Sequence, residues 1–84
     1  MEKINTTHEL KTWPFYYRDI ANGSKKFEIR LNDRDFNKGD TLILKEYDPD
    51  TKKYTGKYCT KIITYILFGG SMGLKSGYVI LSIK

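Results

Sequence analysis

The chain reads as an α+β domain that is mainly β: a small barrel of short strands with one helix near its start. Three observations predict this. Residues 26–31 alternate charged and apolar side chains with the two-residue period of a strand. β-branched and aromatic residues crowd 41–47, 58–67 and 78–83, with turn formers between them. Only one segment, about 14–22, carries helix start and stop signals. Short strands divided by turns favour a barrel, although the pattern alone also fits a small open sheet with one helix.

Length limits the chain to a single domain over residues 1–84, with the polar residues 1–6 expected to fray. A domain this small buries little more than ~60% of its unfolded surface, so its core has to be compact. Seven Tyr, four Phe and one Trp are available for that.

A net charge of +5 favours polyanionic partners without saying which. The single cysteine, Cys59, excludes an internal disulfide and a Cys-based zinc cluster; in its strand-like run it reads as a partly buried, inert thiol. One His, one Cys and scattered carboxylates make no metal-ligand set, and no cofactor is expected. There is no run of the ~20 apolar residues a membrane span needs, and residues 1–5 lack the apolar core of a secretory signal. The expectation is a cytoplasmic monomer with no membrane partner.

His8-Glu9-Leu10-Lys11 reads as a short first strand. Thr12-Trp13-Pro14 then opens the helix, since proline suits a first helical position. The helix should run from Pro14 to Asn22, with Tyr16 and Ile20 four apart, and stop at Gly23. In the strand 26–31, Phe27, Ile29 and Leu31 share one face, and Lys26, Glu28 and Arg30 the other. A turn-rich loop, 32–40, leads to a strand over 41–47 and a turn at Asp48-Pro49-Asp50-Thr51. Residues 54–57 bring the chain back into a long strand, 58–67. The glycine-rich 69–73 precedes a last strand at 78–83; it lacks the spacing of a P-loop and is expected to be a connection or a rim of the cleft.

Gly23-Ser24-Lys25-Lys26-Phe27-Glu28-Ile29-Arg30 fits G-x-K-x-x-E-x-R. Placed after a first helix and entering a strand, this resembles the signature of the ASCH superfamily. His8 to Lys11, Asn32 to Phe36, Gly39-Asp40 and Gly73 to Tyr78 extend the likeness from His8 to Ile83, toward an ASCH-like family of small bacterial and phage proteins. The resemblance implies a PUA-like β-barrel and a role in RNA binding or nucleotide chemistry. Some ASCH relatives are small amidohydrolases that deacetylate acetylated cytidine. Where those have a threonine, three residues after the motif lysine, this chain has Glu28.

Alternation alone puts Glu28 and Arg30 side by side on one face. Lining a cleft, Arg30 would offer a planar fork to a phosphate or base edge, Glu28 would orient it, and Lys25 would add a positive charge. The competing reading is a buried pair that merely fixes the strand. His8 would stack on or bond to a base, or be a satisfied polar residue. Asp33, Arg34 and Asp35 would close over a ligand, or form a plain turn. Most of Trp13, Phe15, Tyr16 and Tyr17 should be core, leaving one ring free to stack on a base. The basic stretch from Lys52 to Tyr58 would be a hairpin tip or a phosphate track. The leading function is thus a module that binds RNA or a nucleotide through His8, Lys25, Glu28, Arg30, Asp33 and Arg34. The alternatives are a small hydrolase of RNA or a modified nucleoside, with Lys25 and Glu28 as its catalytic candidates, and a protein-interaction module. Glu46 is a further acidic candidate for the enzyme by strand position alone.

Overall fold

The computed structural model describes residues 4–84. Strand β1 (Thr7–Thr12) leads into helix α1 (Pro14–Ala21), followed by β2 (Phe27–Leu31), β3 (Thr41–Asp48), β4 (Lys53–Phe68) and β5 (Tyr78–Ile83). The predicted return over 54–57 and the strand after it are one continuous strand, β4. The domain is α+β and mainly β. Among the described residues no helix is long and apolar enough to cross a membrane.

The spatial order is β1-β3-β4-β5-β2. β1 runs parallel to β3, and the other neighbours are antiparallel. β4 pairs with β3 up to Ile62 and with β5 from Ile63 onward, so it passes from one half of the sheet to the other. The ladder does not close into the barrel expected from the sequence: β1 and β2 remain its two edges. Side chains occupy the gap where a β1–β2 ladder would run. Arg30 Nη2 donates to the Lys11 carbonyl at 2.7 Å, and Arg34 Nη1 to the Glu9 carbonyl at 3.0 Å.

The core is aliphatic: Leu10, Ile20, Leu42, Leu44, Ile63, Val79, Leu81 and Ile83 pack with Phe36. This corrects the expectation that the helix aromatics supply it. α1 turns Tyr17 and Ile20 inward, whereas Trp13, Phe15 and Tyr16 are 54%, 65% and 46% exposed. An eight-residue helix has room for one narrow buried stripe, and residues three apart fill it. Gly23 ends the helix with φ +85°, a left-handed conformation that glycine adopts without a Cβ clash.

The amino end is tied down at Thr6, inside the segment expected to fray. Thr6 N–H donates to Asp40 Oδ1 at 3.0 Å, and its carbonyl accepts from Thr41 N–H at 3.0 Å. Residues 1–3 of that segment lie outside the described residues.

β2 is turned charged side in. Glu28 is buried, while Phe27, Ile29 and Leu31 are exposed. Their cross-strand partners Ser82, Ile80 and Tyr78 lie on the same outer face. Tyr65 and Leu67 continue that face through β5.

Candidate functional site

The junction between α1 and β2 builds a charged triad. Lys25 is anchored by its own N–H, which donates to the Asp19 carbonyl of α1 at 2.9 Å. Its Nζ donates to Glu28 Oε1 and to the Phe27 carbonyl, each at 2.8 Å. Arg30 Nε donates to Glu28 Oε2 at 2.9 Å. Each Glu28 oxygen therefore holds one cation, and Arg30 reaches on to β1. Glu28 thereby fixes the positions of both Lys25 and Arg30.

Around the triad lies a cavity of about 540 Å³, between β2 on one side and Lys11, Thr12, Trp13 and Tyr16 on the other. Trp13, Tyr16 and Phe27 line it with exposed rings. Lys25 Nζ sits 4.7 Å from the Phe27 ring centroid and 5.5 Å from that of Tyr16. Thr12 is 3% exposed, and its Oγ1 is the one side-chain oxygen or nitrogen among the described residues that is buried without a hydrogen-bond partner.

The aromatic and cationic surface continues outward from this cavity. Lys11 Nζ stands 4.4 Å over the Tyr47 ring, Tyr47 meets Tyr54 edge to face at 5.1 Å, and Lys45 Nζ stands 4.9 Å over Tyr54. Tyr47 and Tyr54 pair one step back from the β3–β4 turn, at the hairpin tip that the sequence singled out. Glu46, on the same hairpin, accepts from Thr55 Oγ1 at 2.7 Å and does not line the cavity.

A family model described as "Domain of unknown function (DUF3850)" matches residues 7–83. The chain belongs to the DUF3850 family. It is also 42% identical, over 40 residues, to an uncharacterised 12.9 kDa protein in the GpA 3′ region of Escherichia phage P2. That match covers 48% of this chain and 37% of the phage protein. The chain thus spans well under half the length of that curated relative.

In this DUF3850 domain Glu28 and Arg30 lie side by side as the alternation predicts, Lys25 joins them from the α1–β2 junction, and His8, Asp33 and Arg34 do not. His8 is buried against Phe36, ring centroids 4.8 Å apart, with Nε2 2.8 Å from Asp40 Oδ2. Burial alone would raise the Asp40 carboxyl. Hydrogen bonds from Thr6 N–H, His8 and Asn37 N–H, with the imidazole charge, outweigh it and hold the carboxyl below its ordinary value. Arg34 belongs to the seam with β1, and its Nε lies 3.9 Å from Asp33 Oδ1, too far for a hydrogen bond. The glycine loop after β4 does not line the cavity either. A Cβ at Gly69 would collide with the Lys75 carbonyl, so close main-chain packing explains that glycine.

Sequence reasoning passed over Asp40, Thr12, Lys11 and Ile29. For Asp40 the signal was faint: a polar residue after Gly39, opening an apolar strand, with one distant histidine to match it. Cys59 is half-buried, and burial, opposed by Lys61 and aided by Glu28, raises its thiol above the ordinary range. Burial likewise raises the Tyr17 hydroxyl, with Cys59 and Glu46 adding to the effect. Among the described residues no group of three or more His, Cys, Asp and Glu could hold a metal ion.

Proposed function

We propose that this DUF3850 domain binds single-stranded RNA, or a nucleotide presenting the same chemistry, in the cavity between β1, α1 and β2. The observation that carries the reading is one cavity walled by three exposed rings, with two cations pinned to Glu28 among them. A flat base needs an aromatic face, and its phosphate needs a cation within reach.

Magnitudes favour stacking over charge as the main source of affinity. Two cations and one carboxylate leave the triad with a net charge of only +1, and Lys11 adds one more. A base on an aromatic ring contributes ~1–3 kcal/mol. The Lys11–Tyr47–Tyr54–Lys45 array favours an oligonucleotide over a lone nucleotide, since it continues the cavity across the sheet.

The finer architecture belongs to the same proposal. The segment Gly23 to Arg30 supplies the triad, which supports reading the domain as an ASCH-type, PUA-like module with its barrel open at the β1–β2 seam. A cytoplasmic setting goes with it, where a lone thiol stays reduced.

The test uses Trp13, the single tryptophan, as its own reporter. Short single-stranded RNA should change Trp13 emission, with a log–log salt slope near −0.7 per phosphate neutralised. Arg30→Ala should weaken binding while circular dichroism stays unchanged. Unchanged emission at low salt with RNA, DNA and nucleotides alike would remove the reading. A protein partner is the second reading, favoured by the exposed apolar face of Phe27, Ile29 and Leu31. It predicts a specific protein that stays bound to the domain after nuclease treatment.

A further inference from the structure

β2 leaves one main-chain edge without a strand partner, and that edge borders the cavity. In an antiparallel ladder, successive residues turn their N–H and C=O groups alternately toward and away from the neighbour. The Lys26 carbonyl accepts from Ile83 N–H at 3.1 Å, and Asn32 N–H donates to the Gly77 carbonyl at 2.9 Å. Residues 26, 28, 30 and 32 therefore face β5 and its extensions. Phe27, Ile29 and Leu31 turn their main chain to the free edge. Local bonds already use two of these groups: the Phe27 carbonyl accepts from Lys25 Nζ, and the Leu31 carbonyl from Asp33 N–H.

Across the gap, β1 shows the same phase. The Thr6 carbonyl is engaged by β3, so Glu9 and Lys11 face outward, and Arg34 and Arg30 occupy their carbonyls. That leaves Ile29. Its N–H and C=O point the same way, spaced as the close donor–acceptor pair with which an antiparallel strand holds its neighbour. Ile29 lines the cavity beside Phe27 and opposite Tyr16 and Trp13.

Every nucleobase carries a hydrogen-bond donor next to an acceptor on its pairing edge. We propose that the Ile29 N–H and C=O together read that edge in a base held by the cavity. The domain then distinguishes unpaired bases from paired ones rather than one base from another, because duplex formation consumes the edge. This rests on the RNA-binding reading above and narrows its ligand to single strands and free nucleotides. Main-chain groups supply the readout, so no side chain ties it to adenine, cytosine, guanine or uracil.

The experiment compares uridine monophosphate with its N3-methyl derivative, whose donor is blocked, by Trp13 fluorescence and by the Ile29 amide signal in NMR. A hexanucleotide is compared with the same strand in a duplex. Methylation removes the donor and sets a methyl group against the strand edge, so binding should weaken about tenfold. Ile29→Pro removes the N–H at an edge position where proline is tolerated. That variant should lose affinity for uridine monophosphate and no longer discriminate against the methylated form. The duplexed strand should bind at least tenfold more weakly than the free one.

Equal binding of methylated and unmethylated nucleotide overturns the edge readout and leaves RNA binding standing. If neither the nucleotide nor the hexamer alters Trp13 emission, RNA binding itself falls and the edge readout falls with it. Should Ile29→Pro fail to fold, the methylated nucleotide against wild type still decides.

Discussion

Arg30 Nη2 donates to the main-chain carbonyl of Lys11 at 2.7 Å, and this bond ties together the two unpaired edges of the sheet. The same guanidinium holds Glu28 through Nε. One planar fork thus sets the width of the cavity, and β1 and β2 are joined there by side chains rather than a ladder. Lysine offers a point charge and cannot span both acceptors in fixed geometry.

Arg30→Lys should therefore behave almost as Arg30→Ala. Both should lose ~1–3 kcal/mol of stability, since a half-buried charge-assisted bond and a main-chain bond go together. Urea unfolding of the two variants against wild type measures this. Full retention of stability by Arg30→Lys would show that charge alone matters.

Glu28→Gln keeps the shape of the side chain and removes the charge between Lys25 and Arg30. The two cations would then share a largely buried site with no counter-charge. Breaking such a pairing costs ~3–5 kcal/mol when fully buried, and Lys25 and Arg30 keep partial contact with water at 16% and 25% exposure. A loss nearer ~2 kcal/mol is expected, read by thermal or urea melts. Added phosphate should restore part of it.

Thr12→Val should measure the cost of the orphaned hydroxyl. Valine has nearly the same shape and removes the orphaned hydroxyl, so the ligand-free domain should be unchanged or more stable by up to ~1 kcal/mol. Urea unfolding against wild type measures this. A clear loss of stability would show that the hydroxyl is satisfied in the folded domain.

Acid sensitivity should centre on Asp40. Its folded carboxyl titrates below its ordinary value of 3.8, so the unfolded chain binds the proton more readily. The stability it contributes is fully present above that value and is lost as pH falls below it toward the depressed folded value. Asp40→Asn should flatten this part of the stability–pH curve, at a cost of ~1–3 kcal/mol near neutrality. Chemical denaturation between pH 2 and pH 7 tests it.

The elements were largely legible because their signals are local. The two-residue alternation located β2 and placed Glu28 beside Arg30, and Pro14 with Gly23 framed α1 to within a residue. What stayed hidden is long-range. Alternation shows that β2 has two faces, but which one is buried depends on what lies opposite, and here a carboxylate with two cations is inside. The same holds for His8, whose partner Asp40 is 32 residues away. Trp13 and Tyr16 looked like core because small domains need large apolar side chains, yet aliphatic residues of β3, β4 and β5 fill that space. Barrel closure depends on how two strands at opposite ends of the order meet, and that distance is set by Arg30 and Arg34 side chains.

β2 has one ladder partner, and that partner is β5, the last strand of the domain. Leaving the ribosome, β2 must wait while some fifty further residues are made, roughly 3–10 s at ~5–20 residues per second. Throughout that interval its Phe27-x-Ile29-x-Leu31 row has no ladder partner to pair with. The first three strands to find ladder partners, β1, β3 and β4, share one half of the sheet, and the cavity acquires its second wall only when residues 78–83 arrive. The candidate site is the last part of the molecule to come into being.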